Sequence, residues 1–147
     1  MVKLNIPGTP QGKARPRVVR GHAFTPERTR VCEDEIRLAF KRAAVSRHWN
    51  IPLIRRPDQI EVTITAFMPI PRSWTKAKQA AALDGQHPHT SRPDADNLAK
   101  TVLDALNRLA WEDDSQIVRL IVEKRFHTRK VAPGFLIFIY SEKKELS

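Results

Sequence analysis

Between residues 60 and 68 the chain alternates strictly: Ile60, Val62, Ile64, Ala66 and Met68 are separated by Glu61, Thr63, Thr65 and Phe67. A period of two places the apolar set on one face of a strand, so the chain must build a sheet with one face to bury. Pro69 and Pro71 end that strand, since proline cannot continue a hydrogen-bonded ladder. Other stretches repeat the pattern: Val2, Leu4 and Ile6 predict a first strand ending at Pro7-Gly8, residues 115 to 126 a third, and 134 to 140 a fourth. Helical spacing appears between them. Thr25-Pro26 predicts an N-cap followed by proline at the first helical position, opening a helix from about 26 to 46 with Cys32, Ile36, Ala39, Phe40 and Ala43 inward. Ser73 predicts the cap of a short helix through Leu83 that stops near Gly85. A further helix carries Leu98, Val102, Ala105, Leu106 and Leu109 on one face.

The rest is read as connection. Residues 7 to 24, with Pro7, Pro10, Pro16, Gly8, Gly12 and Gly21 among arginines, suit a loop or sheet edge, as residues 86 to 96 suit a loop and the last seven residues a frayed polar tail. The predicted order is β-α-β-α-α-β-β, an α+β fold with a small mixed sheet packed with helices. Its 147 residues fit one domain, 1–147. No apolar run reaches the roughly 20 residues of a bilayer span. The N-terminus lacks a signal-peptide pattern, so a cytoplasmic location is expected. Cys32 is the single cysteine, which excludes a disulfide framework and sites built from several cysteines.

Charge points to the partner. Lys and Arg total 26 against 16 Asp and Glu, a formal +10, which attracts polyanions and leaves no membrane-binding amphipathic helix to explain it. Within this basic chain, Asp94, Asp96, Asp104, Glu112, Asp113 and Asp114 are concentrated in a short stretch. Asp94 and Asp96, one residue apart before a helix, put two carboxylates on one side of an extended backbone, where they can chelate a cation. Lys100 follows Asp96 at i+4. Aspartates with a nearby lysine are the ingredients of magnesium-dependent phosphodiester hydrolysis, and Asp113-Asp114 could add a ligand if the turn folds back. Each has a plainer reading: Asp96 as helix cap, Asp94 paired with Arg92, Lys100 paired with Asp104, Asp113-Asp114 as a polar turn.

The segments Arg92-Pro93-Asp94-Ala95-Asp96-Asn97-Leu98-Ala99-Lys100, Leu103-Asp104-Ala105-Leu106 and Trp111-Glu112-Asp113-Asp114-Ser115-Gln116-Ile117-Val118 resemble the RusA-type Holliday-junction resolvases of bacteria and prophages. Gly8 to Arg17 is similar to the phage-type branch of that family. The resemblance implies that Asp94, Asp96 and Asp114 hold Mg²⁺, with Mn²⁺ as its substitute, and that Lys100 is the catalytic lysine. Asn97, Asp104 and Asp113 fall beside that set as positioning or structural groups. It further implies a homodimer, no small-molecule cofactor, and a four-way DNA junction as substrate, resolved by paired symmetric nicks through a metal-activated water.

Lys13, Arg15 and Arg17, on the Gly/Pro-rich segment, together with Arg92, are the expected contacts to DNA phosphates. His87 and His89 are read as phosphate contact or plain loop ahead of zinc, because oxygen ligands and no cysteine are near. Trp74 and Trp111 suit packing more than base stacking. A restriction-like nuclease is set aside, since Glu123-Lys124 lacks the intervening residue that would put both side chains on one face of a strand. Two rivals stay open: a non-catalytic branched-DNA-binding module of the same fold, and a structural protein whose acids cap helices.

Overall fold

A computed structural model describes residues 1–142, so of the expected polar tail residues 143–147 lie outside the described residues. Four strands form a mixed sheet: β1 (Val2–Pro7), β4 (Ile60–Met68), β5 (Ile117–Phe126) and β6 (Gly134–Tyr140), in the spatial order β1-β6-β4-β5. β6 runs antiparallel to both β1 and β4, and β5 runs parallel to β4. A parallel pair needs a long crossover. Here it consists of α2 (Lys76–Leu83), α3 (Ala95–Leu106) and a short 3-10 turn over Asp114–Gln116.

Register shows why the alternation was informative. Val2, Ile139 and Val62 stand side by side, as do Leu4, Ile137 and Ile64, then Ile6, Phe135 and Ala66; all nine are buried. This apolar face receives α1 (Glu27–Ser46), through Cys32, Ile36, Phe40 and Ala44, and α3, through Leu98, Val102, Ala105 and Leu106. Cys32 is buried as its helical position predicted, and burial pushes its thiol pKa up. Trp111 is also a core residue. No helix among the described residues is long and apolar enough to cross a membrane.

Several boundaries differ from the expectation. Pro26 is itself the N-cap of α1, with no side-chain hydrogen bond, so Thr25 does not cap it. Thr75, not Ser73, caps α2, its hydroxyl accepting from the Lys78 amide at 3.3 Å. α3 stops at Leu106 although Leu109 continues the apolar period, because Asn107 turns extended with ψ of 132° and Arg108 then takes a left-handed φ of 67°. The segment 7–24 is not wholly loop: β2 (Arg17–Val19) and β3 (His22–Phe24) pair as a separate small hairpin, every residue of it exposed.

Candidate functional site

The residues preceding the hairpin lie across the start of α3. The Lys13 amide donates to the Asn97 carbonyl at 2.8 Å, and the Thr29 hydroxyl on α1 donates to the Gly12 carbonyl at 3.3 Å. Gly12 is needed for this approach: a Cβ there would stand 2.8 Å from Pro93 Cβ and 3.3 Å from Asn97 Cβ. The Lys13 side chain then turns inward. Its ammonium binds the buried Glu33 carboxylate of α1 and reaches Asp104 Oδ2 of α3 at 3.0 Å, while Arg37 holds the other Glu33 oxygen at 3.3 Å. Burial lowers the Lys13 pKa, but hydrogen bonds and charges from Glu33 and Asp104 outweigh it and hold the ammonium above its ordinary value.

On the other side of α3's start, Lys124 of β5 donates to the carbonyls of Ser91 at 2.6 Å and Pro93 at 2.9 Å. The segment leading into α3 is thus fastened from both sides. Between these fastenings opens a cleft of about 970 Å³, with Arg15, Arg28, His89, Arg92, Asp94 and Asn97 along its walls. Among the described residues, Asp94 is the only carboxylate lining it. Among the described residues, Arg15, Arg28 and Arg92 have no carboxylate partner, whereas Arg37, Arg56, Arg119, Arg125 and Arg129 all do. The His89 ring meets Phe126 at a tilt, ring centres 4.7 Å apart, and burial, then the Lys124 charge, lowers its pKa. His87 packs against Trp74, ring centres 4.9 Å apart, and also edges onto Phe126.

The acidic residues divide into committed and free. Asp94 is the N-cap of α3 by backbone, but its carboxylate makes no capping bond and pairs with neither Arg92 nor any other described side chain. Asp96 lies inside the first helical turn, so it is not the cap, and the extended-backbone argument for a shared side with Asp94 does not hold. Among the described residues its carboxylate accepts only from the Asn97 amide, at 2.9 Å. Asp96 and Lys100 open onto a second depression of about 510 Å³, beside Leu120 and Val122 of β5. Lys100 does not pair with Asp104, which belongs to Lys13.

Asp113 caps the 3-10 turn, accepting from the Ser115 amide and hydroxyl, and bonds Arg56 at 3.2 Å; the Ser115 bonds, then Arg56, hold its pKa below the usual carboxylate value. Asp114 accepts from the indole N–H of Trp111 at 2.7 Å. Burial, with lesser repulsion from Asp104 and Asp113, raises its pKa. Among the described residues no three His, Cys, Asp or Glu side chains are disposed together for a metal ion. The donor type nonetheless suits a hard cation: Asp94 and Asp96 present carboxylate oxygens that, among the described residues, accept at most one hydrogen bond, and Mg²⁺ is commonly held by one or two carboxylates with water and substrate phosphate completing its shell.

Sequence reasoning missed Glu33, Arg28 and Lys124. Glu33 carried a signal, a charge at a buried position of an apolar helix face, which requires a partner. The roles of Arg28 and Lys124 depend on contacts distant in sequence and had none.

Guanidinium groups without carboxylate partners among the described residues, beside a helix N-terminus, make this cleft chemically suited to phosphate groups. The chain belongs to the RusA endodeoxyribonuclease family, whose model matches residues 7–139. Its substrate is therefore DNA and its class of reaction phosphodiester hydrolysis. It is also similar to the uncharacterized protein YqaN of Bacillus subtilis (strain 168), 33% identical over 127 residues that span 84% of this chain and 86% of that one.

Proposed function

We propose that this protein is a magnesium-dependent endonuclease that resolves four-way DNA junctions, working as a homodimer that nicks two opposed strands. The observation that carries the reading is the cleft in which Asp94 lies among Arg15, Arg28 and Arg92, none of them ion-paired among the described residues. The arginines bind the backbone phosphates flanking the scissile bond, and Arg17 extends that track toward the hairpin. Lys13 is occupied by Glu33 and Asp104 and serves the site by anchoring the arm that presents Arg15. Asp94 would hold Mg²⁺ in the cleft, with Mn²⁺ as an alternative ion, and Asp96 and Asp114, which face other surroundings in this structure, would turn toward it to complete the carboxylate set of the family pattern. When bound, the ion supplies polarisation of the phosphate and a water of lowered pKa. Lys100, unpaired with any carboxylate among the described residues, offsets negative charge accumulating on the phosphoryl oxygens. Hydrolysis adds the water oxygen to phosphorus and releases the 3′-oxygen, leaving 5′-phosphate and 3′-hydroxyl ends. A junction has approximate two-fold symmetry, which a symmetric pair of such sites matches.

A second reading, a non-catalytic branched-DNA-binding module, is favoured by the lack of a three-carboxylate group among the described residues. Cleavage of a labelled four-way junction beside linear duplex, with Mg²⁺ or with EDTA, separates the two. Symmetric nicks that need the metal and vanish in Asp96→Asn support the nuclease. Tight junction binding without nicking selects the module.

A further inference from the structure

The hairpin β2–β3 is the least covered element of the described chain. Val18 is 69% exposed, Val19 53% and Phe24 48%. An isolated two-stranded ribbon has little stability of its own in water, and apolar side chains on it gain from a partner. The register pairs Arg17 with Phe24 and Val19 with His22, so these four share one face while Val18 and Ala23 share the other. Arg20 and Gly21 form the two-residue tip, with φ of 49° and 79°. Positive φ at both positions is the primed turn that fits a tight hairpin, and it normally favours asparagine before glycine; here an arginine holds the strained position and stands at the tip.

Location and charge identify the partner. Arg15, just before the hairpin, and Arg28, just after it, both line the cleft, so the ribbon rises from the cleft's edge. No acidic residue occurs before Glu27, which disfavours a second copy of this strongly basic chain docking ribbon to ribbon. Phosphate contact alone would need only the arginines. Phe24 and Val19 beside Arg17 and His22 suit a nucleic acid whose base faces are accessible, which a stacked duplex does not offer and a branch point does.

Building on the junction reading above, the geometry points to the β2–β3 hairpin as the branch-point reader: Phe24 and Val19 meet bases unstacked at the crossover, while Arg17 and Arg20 grip the phosphates around them. The test uses the full chain with a four-way junction carrying 2-aminopurine beside the crossover, and a linear duplex as control. Phe24→Ser should weaken junction affinity roughly tenfold and abolish the fluorescence change at the crossover, with duplex affinity unaltered. Arg20→Asn keeps a favourable turn and removes the charge, so it should melt no lower than wild type and flatten the log–log salt dependence of junction binding by about one unit. Phe24→Ser that binds and reports like wild type, or that weakens duplex and junction equally, overturns the inference while leaving the junction reading intact. A change of sedimentation mass in Phe24→Ser with junction contact unaltered overturns it in favour of a second copy. Wild type that does not distinguish junction from duplex overturns both readings together.

Discussion

Lys13→Met separates an anchoring lysine from a DNA-contacting one. In the structure the Lys13 side chain is 19% exposed and binds Glu33, 7% exposed, and Asp104, 38% exposed. Removing one partner of a buried ion pair costs about 3–5 kcal/mol when the other charge is left alone. Glu33 keeps Arg37 at 3.3 Å, which reduces the loss, and the more exposed Asp104 adds under about 1 kcal/mol. The expected destabilisation is therefore about 2–3 kcal/mol, or a fall in Tm of roughly 5–10 °C for a chain of this size. Urea unfolding of Lys13→Met, Glu33→Gln and the double variant measures it, with a coupling of about 1–2 kcal/mol expected between the two sites. The pH dependence has a defined sign. The folded-state pKa of Lys13 is raised, so its stabilisation is fully present below the ordinary value of 10.5 and is lost as pH rises through the higher folded value. Wild type and Lys13→Met should converge only there. A loss below about 0.5 kcal/mol, combined with a salt slope flattened by about one unit, would refute the anchoring role and make Lys13 a phosphate contact.

Asp94→Asn should leave Tm unchanged, because the carboxylate has no internal partner, while nicking falls roughly hundredfold or more; a matching loss of stability would make Asp94 a structural cap. Arg15→Ala with Arg92→Ala should flatten the salt dependence of DNA binding by about two units, and an unaltered slope would remove the cleft from the DNA path. Lys124→Met frees the Ser91 and Pro93 carbonyls, costing about 1–2 kcal/mol and lowering kcat more than affinity; an equal fall in both would deny it a positioning role. The raised pKa of Asp114 means that its folded-state ionisation is disfavoured, so wild type should gain on Asp114→Asn as pH falls through that raised value, as thermal melts across the acid range would record.

The sheet was legible because its core face obeys a period of two: Val62, Ile64 and Ala66 are buried as their alternation required. The hairpin was not. Its strands are Arg17–Val19 and His22–Phe24, too short to show a period, and its turn is Arg20-Gly21 in place of the usual Asn-Gly. The end of α3 was misjudged for a similar reason, since Arg108 enters the left-handed region without a glycine to signal it. In the cleft, the sequence marked Asp94 and Arg15 by local composition. It could not show that Lys13 is taken by Glu33, whose contact spans 20 positions, or that Asp94 and Asp96 open onto different depressions. Local pattern reports which face a residue occupies, and the choice of partner across the fold is made by packing.

The position of β6 sets the order in which the domain can be completed during synthesis. This strand, Gly134–Tyr140, is the last described one in the chain yet lies between β1 and β4. Until it emerges from the ribosome, Val2–Pro7 has no neighbour in the sheet and Ile60–Met68 presents an open edge. A chain interrupted before residue 134 would already carry α3 and β5, but not the strand that joins β1 to β4. Closure of the four-stranded sheet thereby waits for Gly134–Tyr140, and products terminated before that strand are expected to aggregate through their unfilled sheet edges.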